Sequence, residues 1–212
     1  HGGLAVINHD RSDREVPGYI AVEGPIGVGK TTLARRLAMT FNVDMLLEEG
    51  DHNPFLERFY RDRKGSALAT QLFFLFDRVR KLEALRQSDL FQPVRVADFL
   101  LEKDPLFARI NLDADEYGLY EQIYRRLVTD PPRAPDLVIY LQASTDVLLE
   151  RIRQRGIGYE QRIERGYLER LNEVYSEFFL YYDASPLLIV NASAIDLASG
   201  DRDYDQLVDY LL

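Results

Sequence analysis

The sequence predicts an α/β fold, a five-stranded parallel sheet flanked by helices, and three observations carry that expectation. Short apolar segments alternate along the chain with segments of helical period, the arrangement that gives a parallel sheet covered on both faces. A glycine-rich motif stands between the first such strand and the first helix. The chain, at 212 residues, is long enough for one α/β domain with a substantial core. No internal repeat, low-complexity tract or linker divides it. Residues 19–212 are therefore expected to form a single domain, preceded by a flexible lead-in over 1–18, where glycine, charge and Pro17 occur without periodicity.

Tyr19 to Glu23 reads as a buried strand. Behind it, Gly24-Pro25-Ile26-Gly27-Val28-Gly29-Lys30-Thr31, with Thr32 following, fits G-x-x-x-x-G-K-[ST]. Thr31 to Phe41 then reads as a helix with Leu33, Leu37 and Phe41 on one stripe. Strand, glycine loop and helix form the context the motif demands. Its backbone N–H groups wrap a polyphosphate, Lys30 neutralises the β/γ-phosphate oxygens, and the Thr31 hydroxyl ligates Mg²⁺. The helix N-terminus adds partial positive charge. An ordinary glycine turn is the plain alternative; the full context implies a nucleoside triphosphate held with Mg²⁺.

Asp44 to Glu48 reads as a second short strand ending in acids, and Asn53-Pro54 opens a short helix over Phe55 to Tyr60. Ser66 to Gln87 is the longest helical pattern, with Leu68, Leu72, Leu75, Val79 and Leu82 on one stripe. Gln71, Phe74 and Arg78 share a neighbouring strip, which either lines a pocket or is a solvated flank. Pro93 ends the pattern, and Val94 to Asp98 reads as a third strand ending in an acid. A helix from Asp113, with Glu116 completing a capping box, runs to Leu127. Leu137 to Leu141 is the fourth strand, Asp146 to Arg155 a helix, Tyr167 to Tyr182 another, Leu187 to Asn191 the fifth strand, and Tyr204 to Leu212 a closing helix.

A formal net charge of −9 argues against a general nucleic-acid-binding surface. The absence of cysteine excludes a disulfide, a thiolate nucleophile and a cysteine metal site, and only three histidines occur. No apolar run reaches membrane-spanning length and no signal-peptide core is visible, so a soluble cytoplasmic enzyme is expected.

In open parallel sheets ligands sit beyond the carboxyl ends of the strands. Glu23-Gly24, Glu48 and Asp98 are the strand ends that matter here. Glu48 or Asp98 could accept a proton, and the arginines of 151–165 could close over phosphates as a lid, with Gly156 and Gly158 as hinges. A solvated carboxylate and a solvated basic helix face are the plain alternatives.

From about Tyr19 to the C-terminus the chain resembles the deoxyribonucleoside kinases. The landmarks are Glu-Gly-Pro-Ile-Gly-Val-Gly-Lys-Thr-Thr (23–32), Glu48 before Asn-Pro-Phe-Leu-Glu-Arg-Phe-Tyr (53–60), Gln71 with Arg78, Ala-Asp (97–98), and Arg-Gln-Arg-Gly (153–156) with Glu160. The resemblance implies a P-loop kinase fold with an arginine-rich lid. It implies transfer of the γ-phosphate of ATP, with Mg²⁺, to a deoxyribonucleoside 5′-hydroxyl. Glu48 would be the base, Tyr60 and Glu160 the pair on the sugar 3′-hydroxyl, and Gln71 the reader of the base edge, with Phe74 beside it. Asp98 would lie near the 5′-hydroxyl and magnesium, and Arg153 and Arg155 would contact the phosphates. Arg78 and Asp104 match a charged pair found in deoxyguanosine and deoxycytidine kinases, which implies purine deoxynucleosides first, deoxycytidine second and thymidine poorly. A homodimer through the long helices is also implied.

Two positions depart from the family pattern. Phe99 stands where many members carry arginine, with Lys103 a helical turn further on as a substitute positive charge, and Ile157 stands where some carry a lid arginine. Rival readings are a nucleoside monophosphate kinase such as thymidylate kinase, a nucleotide-binding regulatory subunit without turnover, and, more weakly, a GTPase switch.

Overall fold

The computed structural model describes residues 4–7, 17–87, 95–195, 197 and 201–212. Pro93, Val94 and most of the expected lead-in lie outside them.

The centre of the sheet is built from the two most apolar strands, β2 (Tyr19–Glu23) and β5 (Leu137–Gln142), which pair in parallel with Ile20 opposite Leu137. Strands covered on both faces read as continuous apolar runs, and every residue of β2 is buried. On one side β2 pairs with β4 (Arg95–Ala97), which pairs with β3 (Met45–Leu46). On the other, β5 pairs with β6 (Leu187–Asn191). These are the five expected parallel strands. A sixth, β1 (Leu4–Ile7), lies antiparallel along β6, giving the order β1-β6-β5-β2-β4-β3. The expectation of a lead-in without regular structure is therefore corrected at Leu4–Ile7: four residues suffice to pair with an otherwise open edge.

Helix α1 (Lys30–Phe41) packs Leu33, Ala34, Leu37 and Ala38 into the main core with Ile20, Val22 and Val96 of the sheet. Asn53 does not cap the next helix directly. Its Oδ1 accepts from the Phe55 N–H at 3.0 Å, turning the chain before α2 (Leu56–Arg61) begins. The long helix α3 (Arg63–Gln87) starts three residues earlier than its stripe suggests and packs against α4 (Lys103–Asn111) and α5 (Ala114–Leu127). The Asp113–Glu116 capping box of α5 is present. Helix α4 has no counterpart among the expected elements. Its inner face buries Lys103 and Asp104 beside Ala108, so polar residues mask the apolar period that would reveal it. Helices α6 (Thr145–Arg155), α7 (Arg165–Leu180) and α8 (Asp201–Leu211) complete the cover.

Candidate active site

A cavity of about 660 Å³ opens beyond the carboxyl ends of β2, β3 and β4, bounded on one side by the glycine loop and on the other by α2, α3 and the segment after α6. Its two ends are built by different means.

The loop end is mostly backbone. Gly29, with φ of 99°, precedes the first turn of α1 and offers it no side-chain cap. No acidic residue stands in that turn, so its N–H groups face the cavity ready for an anion. At Gly24 a Cβ would stand 2.7 Å from the Leu141 carbonyl oxygen and 2.8 Å from Val28 Cγ1; at Gly27 (φ 87°) it would meet Ile152 Cγ1 at 2.9 Å. Gly24 and Gly27 thus have no room for a side chain, and the close-wound loop they permit fits a polyphosphate. Thr31 Oγ1 donates to Asp98 Oδ2 at 2.7 Å, and the Glu48 N–H donates to Asp98 Oδ1 at 2.6 Å. The Thr31 hydroxyl at the cradle's edge, oriented by the buried Asp98 behind it, fits a Mg²⁺ ion held beside a polyphosphate.

The far end is a network of buried charge. Glu48 lies two residues beyond β3 and is gripped by three cations. Arg78 Nε donates to its Oε1 at 2.7 Å, Lys103 Nζ to its Oε2 at 2.7 Å, and Lys30 Nζ stands 3.5 Å from that same oxygen. Arg78 also pairs with Asp104, which accepts a further hydrogen bond from the Tyr120 hydroxyl. Burial alone would raise the proton affinity of Glu48, but Arg78, Lys103 and Lys30 outweigh it and hold the carboxyl well below the ordinary range. Asp98 and Asp104 go the other way, raised by burial that their partners only partly offset.

Gln71 lines the cavity, and its Oε1 is buried with no hydrogen-bonding partner among the described residues. The Arg78 guanidinium lies 4.8 Å over the Phe74 ring. Tyr60 stacks on Tyr159 with centroids 5.9 Å apart, and the Tyr159 hydroxyl donates to Asp51 Oδ1 at 2.8 Å. Glu160 is buried and paired with Arg155.

Lys30, Thr31, Thr32, Glu48, Tyr60, Gln71, Phe74, Arg78, Arg155 and Glu160 thus all line one cavity. Asp98 and Asp104 stand behind its wall, fully buried. Arg153 is not brought in. It is 73% exposed and pairs with Glu150 on the outer face of α6, three residues earlier. The wider expectation of an arginine lid narrows likewise: Arg151 donates to the Val28 and Ala192 carbonyls, Arg165 pairs with Asp146, and Arg155 alone of these three reaches the cavity. Phe99 is packed in a satellite core with Tyr19, Leu85 and Ala97, while Lys103 delivers its charge to Glu48. The sequence does not single out Tyr120 or Tyr159; an aromatic on a helical turn carries no periodic signal of a partner elsewhere in the chain.

The chain matches the family model "Deoxynucleoside kinase" over residues 20–211. It is 36% identical over 197 residues to a deoxyguanosine kinase of Bacillus subtilis, covering 89% of this chain and 93% of that one. It is 31% identical to a deoxyadenosine/deoxycytidine kinase of the same organism, covering 91% and 90%. Among solved structures, deoxyadenosine kinase from M. mycoides with bound dATP superposes with a TM-score of 0.79 at 28% identity, over 91% of this chain and 98% of that one. A glycine loop and a charged wall that meet at Glu48 across one cavity agree with these likenesses, and the chain belongs to the deoxynucleoside kinase family.

Proposed function

We propose that the protein transfers the γ-phosphate of ATP to the 5′-hydroxyl of a deoxyribonucleoside, with deoxyadenosine and deoxyguanosine preferred, deoxycytidine accepted and thymidine poor. The observation that carries the reading is the position of Glu48 between Lys30 of the glycine loop and Arg78 of the nucleoside cavity. That is where a proton acceptor must stand when an alcohol attacks a cradled phosphate. The loop amides and Lys30 hold the phosphates, and a magnesium ion at Thr31 would neutralise charge on the oxygens between donor and acceptor. Glu48 takes the hydroxyl proton. Its lowered proton affinity keeps it ionised and so able to accept that proton, at the cost of basicity, a cost moderated where the alcohol gives up its proton late in a loose transition state. Arg155 contributes positive charge from the lid, and Tyr60 with Glu160 receives the sugar 3′-hydroxyl.

The unpartnered Gln71 Oε1 accepts from an N–H on the base edge, while the Arg78–Asp104 pair supplies the charge that suits exocyclic groups of purines and cytosine. The likeness to kinases named for deoxyguanosine, deoxyadenosine and deoxycytidine supports that order. A homodimer through α3 and α5 accounts for Phe76 and Leu119, large apolar residues exposed at 53% and 48% on those two packed helices. A cytoplasmic location fits a cysteine-free chain in which no described helix is long and apolar enough to cross a membrane.

The test is transfer from ATP–Mg²⁺ to each deoxynucleoside and each deoxynucleoside monophosphate, with Glu48→Gln alongside. Transfer to deoxyadenosine or deoxyguanosine, lost by at least about a hundredfold in Glu48→Gln, is expected. Transfer to monophosphates only would move the protein to the thymidylate-kinase-like group, no transfer would restore the regulatory-subunit reading, and equal use of thymidine and deoxyadenosine would refute the base preference.

A further inference from the structure

Glu23 has no part in the reaction as derived above, yet it is one of the most completely buried charges in the molecule, 1% exposed at the end of β2. Its Oε1 accepts from the Gly24 N–H at 2.9 Å and the Tyr175 hydroxyl at 3.1 Å, and its Oε2 accepts from the Leu100 N–H at 2.9 Å. One side chain thus joins the start of the glycine loop, the turn before α4, and α7. Beyond those neutral donors it meets the same two lysines that hold Glu48. Lys103 Nζ is 3.4 Å away and Lys30 Nζ 3.7 Å away. With Lys30 3.5 Å and Lys103 2.7 Å from Glu48, the four side chains close a ring of alternating charge: Lys30, Glu48, Lys103, Glu23.

A phosphate arriving in the cradle competes for one member of that ring, Lys30, and two carboxylates hold it back. Once Lys30 turns to the phosphate, Lys103 is the one cation of the ring left for Glu23 and Glu48 to share, and Glu48, though still paired with Arg78, loses part of the positive field that keeps it a poor proton acceptor. Resting on the proposed kinase reaction, we propose that Glu23 is a positioning residue that acts through the two shared lysines, restraining Lys30 until a donor phosphate is present and drawing Lys103 away from Glu48 afterwards. Donor occupancy and base strength are then coupled through one buried carboxylate that touches neither substrate.

The role has a signature that damage to the fold cannot imitate. Removing the charge in Glu23→Gln frees Lys30 for the phosphate but leaves Lys103 wholly on Glu48. ATP should bind tighter while kcat falls, by about threefold and about tenfold. Tyr175→Phe keeps the charge but removes a hydrogen bond, so Glu23 leans harder on the lysines and ATP should bind weaker, by about twofold. Both dissociation constants are measured by titration with ATP in the absence of nucleoside, apart from turnover. Opposite displacements of the ATP dissociation constant in the two variants support the proposal. Weaker binding and lower kcat together in Glu23→Gln, or no change in ATP affinity in either variant, would overturn it. Should Glu23→Gln not fold, unchanged or tighter ATP binding in Tyr175→Phe overturns it alone. If the unaltered protein phosphorylates no deoxynucleoside, the kinase reading fails first, and the titrations still decide the Glu23 coupling.

Discussion

The glycine loop and the charged far wall face each other across one cavity and are made on opposite principles. The loop binds with backbone: eight consecutive residues, little side-chain chemistry besides Lys30 and Thr31, and a helix start left open for an anion. The far wall is built of side chains drawn from the loop after β3, α3, α4 and α5, and each charge there is held by others. A backbone cradle tolerates little change in shape, whereas a charge network tolerates little change in count. The first fails locally and the second fails as a unit.

Arg78→Leu should give the largest effect. It leaves Asp104 buried without its cation and Glu48 with Lys30 and Lys103 only, and removing one partner of such a cluster costs about 3–5 kcal/mol, read as a lower urea midpoint with activity lost. The pH dependence sharpens the test. Glu48 is held well below its ordinary 4.5, so its contribution to stability is present above that value and is lost only as pH falls through the depressed one. With Arg78 gone, the loss should move up towards 4.5 in urea titrations run at a series of pH values. An unmoved acid limb would mean that Lys30 and Lys103 hold Glu48 unaided.

Gly24→Ala should come next. The new Cβ would press on the Leu141 carbonyl at 2.7 Å, which is backbone and has little room to yield. We expect a cost of about 1–3 kcal/mol, with weaker ATP binding and unchanged nucleoside KM. A nucleoside KM that rises with it would show that the two ends are not separate.

The smallest effect separates two arginines two residues apart. Arg153→Ala, on an exposed pair with Glu150, should change stability by less than about 0.5 kcal/mol and leave kcat alone, while Arg155→Ala should lower kcat/KM. Equal kinetic losses would mean that the segment rearranges to bring Arg153 over the phosphates.

What could be read from sequence follows the same division. The loop is a contiguous motif between a strand and a helix, so its place and shape are local and legible. The five parallel strands were legible because burial on both faces makes them apolar runs. Helix α4 was not, since Lys103 and Asp104 occupy its buried face and partners outside the helix, Glu48 and Glu23 for the one and Arg78 and Tyr120 for the other, make that tolerable. The strip of Gln71, Phe74 and Arg78 stayed ambiguous for a similar reason, because helical spacing places residues on one side without saying what faces them. Arg153 misled because a dense run of arginines looks alike on every face until the turn of α6 sends one of them to solvent.

The short antiparallel strand Leu4–Ile7 has a consequence for how the protein keeps to itself. A sheet ends in two rows of unpaired amides, each an invitation to another chain. At one border β3 is two residues long, too short to template a neighbour. At the other, Leu-Leu-Ile-Val of β6 would stand open and sticky, and residues 4–7 lie along it as a selvedge. Trimming the chain back to Tyr19 would leave the kinase cavity untouched and fray the cloth at its far hem, with clumping rather than lost catalysis as the first sign.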